Sequence, residues 1–170
     1  MTCNDLVTPV GPTGRVPVSN PRPADLAELV GLDRLCFGER AWPARAWWEV
    51  LHEPGWQPRV VRTTQLIIGA TVLLSARPEA SLASIAVHPA WRRQGLGQAL
   101  LDDAVRHARA ARARWLSLNV DQGHALAVRM YRRQGFAATT RFVEDGVPRL
   151  EMVRRLRVGA LPCYDARRHG

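Results

Sequence analysis

A strand that stops at a proline and turns through glycines into an amphipathic helix constrains this chain more than any other feature. In Ser84-Ile85-Ala86-Val87-His88-Pro89 an apolar run ends at a residue that cannot donate to a sheet ladder. The turn Ala90 to Gln94 follows. From Leu96, one stripe of Leu96, Leu100 and Ala104, with Leu101, Val105 and Ala108 beside it, predicts a helix to about Ala113. The first-turn N–H groups of such a helix lack intrahelical partners, and its dipole favours an anion there. Arg92 and Arg93 bring charge to that point, and Gly95 and Gly97 leave the backbone bare, so the stretch suits a phosphate or pyrophosphate. No Gly-Lys-Ser/Thr follows, which excludes a P-loop. The missing third glycine argues against a dinucleotide fingerprint. Taken alone, Arg-x-x-Gly-x-Gly also fits glycines that serve only close helix packing.

The flanking sequence predicts an α/β chain. Helical spacing runs from Ala24 to Phe37, and Pro43 opens a second short helix through Leu51. Arg59 to Arg62 and Leu66 to Leu74 read as a hairpin, followed by a strand over Leu82 to Val87. In Trp115 to Val120, Leu116, Leu118 and Val120 alternate with Ser117 and Asn119. A helix from Ala125 to Arg133 ends at Gly135, and Phe136 to Phe142 with Leu150 to Arg154 make a last hairpin. This order predicts one mixed sheet flanked by helices in a single domain over 23–156, behind a loose proline-rich arm over 1–22 and ahead of an unpatterned tail over 157–170.

Composition narrows the function. The net charge of +9 invites a nucleic-acid reading, but all 24 basic residues are arginine, which fits a coding bias as well as a binding surface. The arginine runs also lack interleaved aromatics, so nucleic acid is not the expected partner. Cys3, Cys36 and Cys163 are scattered, which points to free thiols and no metal site. No apolar run approaches the ~20 residues that span a bilayer, and the start lacks the order of a signal peptide, so a cytoplasmic protein without a membrane partner is expected.

The runs SIAVHPAWRRQGLGQALL, LSLNV and HALAVRMYRRQGF, in this order and spacing, resemble the cofactor core of the GNAT superfamily of N-acetyltransferases. The resemblance extends over roughly Leu66 to Val153. It implies a GNAT-like mixed β-sheet flanked by helices, with acetyl-CoA as co-substrate. It also implies that Ile85, Ala86 and Val87 lie on a splayed strand beside pantetheine, and that Arg92, Arg93, Gln94, Gly95, Leu96, Gly97 and Gln98 surround the pyrophosphate. The mapping is chemically sound, because pantetheine carries two amides near peptide spacing and can add to an open strand edge. A strand N–H near Val87 could meet the thioester oxygen as negative charge develops.

Direct transfer to an amine needs an acid for the departing thiolate and no nucleophile on the protein. The resemblance gives that role to Tyr131; a core tyrosine is the alternative. Relatives that acetylate protein N-termini carry a glutamate where this chain has Asn119 and an asparagine where it has His124. Asn119 accepts no proton at neutral pH but can orient water or bond pantetheine, and His124 is a base or a coenzyme A contact. Glu39, Glu49, Glu53 and Glu144 are further candidate bases without a motif. Trp42, Trp47, Trp48 and Trp56 fit an acceptor wall or the packing of helices on the sheet. The Phe37 to Trp48 region resembles the ribosomal-protein alanine N-acetyltransferases, although the last hairpin lacks their paired tyrosines. The expected activity is therefore acetyl-CoA-dependent N-acetyl transfer to a primary amine, a peptide or protein N-terminus or a small molecule, by a monomer or homodimer. The alternative is a non-catalytic acyl-CoA-binding or ribosome-associated module.

Overall fold

The computed structural model describes residues 16–156. Alternating and β-branched runs form β1 (Trp56–Arg62), β2 (Ile67–Ala76), β3 (Glu79–Val87), β4 (Trp115–Asp121), β5 (Ala137–Glu144) and β6 (Val147–Arg155). The helices are α1 (Leu26–Phe37), α2 (Ala44–His52), α3 (Leu96–Ala110) and α4 (Ala125–Arg133). All six strands join one sheet in the order β1-β2-β3-β4-β6-β5, antiparallel except for the central β3–β4 pair. That pair is parallel because α3 carries the chain back across one face between the two strands.

Each face has its own core. Leu29 and Leu32 of α1 and Trp47 and Val50 of α2 pack on Val60, Val72 and Ala86, so this helical pair covers β1 to β3. On the other face, Leu101, Ala104 and Val105 of α3, with Val128 and Tyr131 of α4, pack on Leu116, Leu118, Val120 and Met152. Burying each such leucine or valine contributes about 1.5–3 kcal/mol. On the first face, no helix among the described residues packs on the outward residues of β4, and Asn119 is exposed. Asp103, buried on α3, ties that helix to β1 by accepting from Arg59 Nε at 2.9 Å, and it also accepts from Arg106 Nη2 at 2.5 Å.

Several boundaries differ from the sequence reading; β3 begins at Glu79 and β6 at Val147, each three residues earlier than read. The arm over 1–22 was expected to be loose with at most one short strand near Arg15 to Val18; in the structure Ser19 and Val60 exchange backbone hydrogen bonds of 2.9 and 2.8 Å, and Val16 and Val18 pack against the core around Trp91. A bridge needs only one residue free of proline, and Ser19 is that residue. β1 begins at Trp56 and runs through Pro58, which an edge strand tolerates. α3 ends at Ala110 because Arg112 takes a left-handed φ of 59° and the Ala113 N–H reaches back to the Ala108 carbonyl. This terminating geometry is usually marked by glycine, and none stands there to signal the stop. Gly135 does mark the same geometry after α4, with φ 81°. The expected arm before residue 16 and the tail after 156 lie outside the described residues.

Candidate active site

The parallel strands pair only from Glu79 opposite Trp115 to Leu82 opposite Leu118. Beyond that point β3 stays bonded to β2 as far as Val87, and β4 stays bonded to β6 as far as Asp121. The cause lies in β3. Ser84 opposes Val72 while Leu82 opposes Leu73, so Ala83 is an extra residue. A bulge of this kind bends and twists its strand, and here it turns β3 away from β4. The backbone edges of Ser84–Val87 and Asn119–Asp121 that face each other have no strand partner.

The α3 N-terminus stands at the end of β3. Trp91, buried against Val61, Ile68 and Leu100, anchors the turn that leads into it. Arg93 (φ 66°) and Gly95 (φ 80°) take left-handed backbone, and Gly95 supplies no side-chain cap. The first helical bond runs from Ala99 N to Gly95 O at 3.0 Å, so the N–H groups of Leu96, Gly97 and Gln98 are left for an anion. A Cβ on Gly97 would lie 3.8 Å from Val87 Cγ2 and 3.6 Å from Met130 Sδ. Gly97 therefore faces the crevice between the end of β3 and α4.

The other candidate residues divide by environment. Ile85 and Val87 are half-buried toward α3, whereas Ala86 is buried against the α1–α2 core, so its backbone alone faces the gap. Arg92 turns back, its Nε donating to the Val87 carbonyl at 3.2 Å, while Arg93 and Gln94 are exposed. Cys36 of α1 donates its Sγ proton to the same carbonyl at 3.4 Å, and burial pushes its pKa up, so the nearest thiol is protonated and not a ready nucleophile. Tyr131 is buried, packs edge-on to Phe136 at 5.9 Å, and has its pKa raised by burial to about 12. His124 is the N-cap of α4, its Nδ1 accepting from Ala127 N at 3.2 Å. That acceptor role fixes the proton on Nε2 in the neutral ring, which leaves no free lone pair for a base.

The tryptophans mostly pack. Trp42 lies 5.7 Å from Trp47 and 6.3 Å from Trp56 in the α1–α2 core, and only Trp48 of the four is exposed, stacked on His52. Among the acids named from sequence, Glu49 and Glu144 are held at 3.1 Å by Arg45 and Arg149, and Glu39 and Glu53 lie exposed outside the sheet. One acid was missed. Glu151 of β6 sits directly opposite Asn119, and its Oε2 accepts from Thr139 Oγ1 at 2.8 Å. The alternation Leu150, Glu151, Met152 marks it as outward-facing, but its pairing with Asn119 is a register that one sequence does not carry.

A mixed sheet whose central parallel strands part beside an uncapped, glycine-lined helix start defines an acyltransferase fold. Residues 26–136 match the acetyltransferase (GNAT) family, and the chain belongs to it. Mycothiol acetyltransferase of Nocardiopsis dassonvillei is 38% identical over 65 residues, which span 38% of this chain and 20% of that protein. The ribosomal-protein-S18-alanine N-acetyltransferase of Escherichia coli superposes with a TM-score of 0.74 at 22% identity, covering 82% of this chain and 93% of that one. YncA of Salmonella typhimurium, solved with its cofactor acetyl-CoA, gives 0.70 at 21% identity over 86% and 96% of the two chains. At these identities the two solved structures speak for the fold alone.

Proposed function

We propose that the chain transfers an acetyl group from acetyl-CoA directly to a primary amine, with peptide or protein N-termini as the favoured acceptors. The observation that carries this reading is the parting of β3 and β4 beyond Leu82 and Leu118, which ends at the uncapped start of α3. Pantetheine lies along the open edge from Ile85 to Val87 as a short pseudo-strand. The pyrophosphate takes the N–H groups of Leu96 to Gln98, with Arg93 and Gln94 at the rim. An N–H of β3 meets the thioester oxygen as charge develops on it. Tyr131 stays protonated across the physiological range and donates to the thiolate as the C–S bond breaks. No covalent acetyl-enzyme forms, in keeping with a protonated Cys36.

The acceptor preference follows from proton chemistry. An α-amine has a pKa near 8 and a lysine side chain one near 10.4, so the first is neutral about a hundred times more often at cellular pH. Asn119 is not a base, and its presence favours a second reading, a module that binds acyl-CoA without transfer. Thiol release from acetyl-CoA, measured with a panel of short peptides, polyamines and lysine derivatives, decides between them. Peptides with free N-termini are expected to be turned over most efficiently. Acetyl-CoA binding by calorimetry with no thiol release from any amine would replace transfer by binding, and a strong preference for lysine side chains would remove the acceptor assignment.

A further inference from the structure

Acetyl transfer creates a proton problem on one face of the sheet. When a neutral amine attacks a thioester, the new C–N bond leaves the nitrogen positively charged, and that proton must depart before the amide is stable. We place the group that takes it on the face opposite α3 and α4, where among the described residues no helix core packs on β4 and β6. The acids that the strands place on or beside that face are Glu79, Asp121, Glu144 and Glu151. Asp121 is occupied, with Arg40 at 3.8 Å and the Gly123 N–H at 2.8 Å. Glu144 is held by Arg149 at the far end of its hairpin. Glu79 lies where β3 and β4 are still paired, opposite Trp115.

Glu151 remains, and its placement is specific. Its β4 partner, Asn119, is the first residue after the last β3–β4 pair at Leu118. Directly opposed residues of antiparallel strands have Cα atoms about 4.5–5.5 Å apart and share a face, so the Glu151 side chain shares the face of Asn119, across β4 from the opening. Thr139, from the neighbouring β5, holds one of its oxygens at 2.8 Å. Glu151 also borders a hollow of about 220 Å³ with Glu79, Trp115, Ser117 and Val153, which lies over the paired ends of β3 and β4 and not over their opening.

We propose that Glu151 is the general base for the acceptor amine and that Thr139 is the positioning residue that aims it. The proposal rests on the reading of the chain as an amine acetyltransferase. In the step, the amine lone pair forms the C–N bond, the nitrogen proton passes to Glu151 directly or through one water, and the C–S bond breaks as the thiolate takes a proton from Tyr131. Glu151 then releases its proton to solvent, and Tyr131 regains one.

The test uses the full chain with acetyl-CoA and a short peptide bearing a free N-terminus, followed by thiol release. Glu151→Ala is expected to lower kcat/KM for the peptide about 10²-fold, to leave acetyl-CoA affinity by calorimetry unchanged, and to regain turnover in proportion to added formate. Thr139→Val should lower kcat several-fold with KM for acetyl-CoA unmoved, and Thr139→Ser should restore it. Glu151→Gln serves as a second variant that keeps the side-chain volume. Unchanged kcat/KM in either folded Glu151 variant, or a loss in Glu151→Ala that formate does not mend, overturns the role of Glu151 while wild-type transfer stands. Absence of thiol release from the wild type with every amine sinks the transferase reading, and Glu151 falls with it.

Discussion

At residue scale, the role proposed for Gly97 is decided by where its missing side chain would go. A Cβ there meets Val87 and Met130 only at ordinary contact distance, so Gly97→Ala is expected to fold without strain. Gly97→Glu extends a negatively charged chain into the crevice beside the free N–H groups, and calorimetry is expected to find its acetyl-CoA affinity lost. Tyr131 offers two readouts. Tyr131→Phe should lower kcat about 10²-fold with acetyl-CoA affinity kept, because the ring still packs on Phe136. Stability gives the other. The folded protein keeps the phenol proton to about 12 while the unfolded chain loses it near 10.0. The unfolded state therefore binds fewer protons in that window, and stability falls as pH rises through it, by about 3 kcal/mol in all. Below the window this contribution is fully present. Denaturant titrations from pH 9 to 12, in steps of about one unit, should show Tyr131→Phe lacking that part of the alkaline decline.

Among the elements, α4 depends on its cap. His124 satisfies the Ala127 N–H, and α4 is only 9 residues long, so losing the cap matters more than in a long helix. His124→Ala is expected to cost about 1 kcal/mol of stability and to raise KM for acetyl-CoA by loosening the helix that carries Tyr131 and Met130. The pH dependence of kcat/KM for the amine should not change, since the imidazole lone pair is spent on the cap. An acidic limb near 6.5 that vanished with the substitution would instead make His124 the base. β5 and β6 matter in the same structural sense, because they set Thr139 beside Glu151 and Glu151 opposite Asn119.

For the whole molecule, the gap is a property of the sheet and not of any one strand. β3 is bonded on its β2 side and β4 on its β6 side, so only the facing edges are free to exchange their amide hydrogens. Hydrogen exchange should slow on binding acetyl-CoA along Ser84 to Val87 and at Leu96 to Gln98, with much smaller changes in β1 and β5. Protection confined to β1 or β5 would place the cofactor elsewhere. On the proposed reading, the cofactor takes the side of α3 and α4 and the acceptor the opposite face of β4 and β6. No helix among the described residues is long and apolar enough to cross a membrane.

Local signals in the sequence determined the elements and the start of the site. Helical and alternating periods survive in any environment that buries one face, so α4 falls at Ala125–Arg133 as read and α1 ends at Phe37 as read. Pro89, Gly95 and Gly97 act within a few residues of themselves, which is why the turn into α3 is legible without tertiary information. Features that join distant segments were decided only by the fold. The bulge at Ala83 is a mismatch between β3 and β2, and the end of α3 at Arg112 has no glycine to announce it. The bond by which His124 caps α4 through the Ala127 N–H is likewise visible only in the fold. Glu151 looked like one more outward glutamate, because the strand that brings it to Asn119 lies about thirty residues away in sequence, and pairing at that range is set by packing rather than by local pattern.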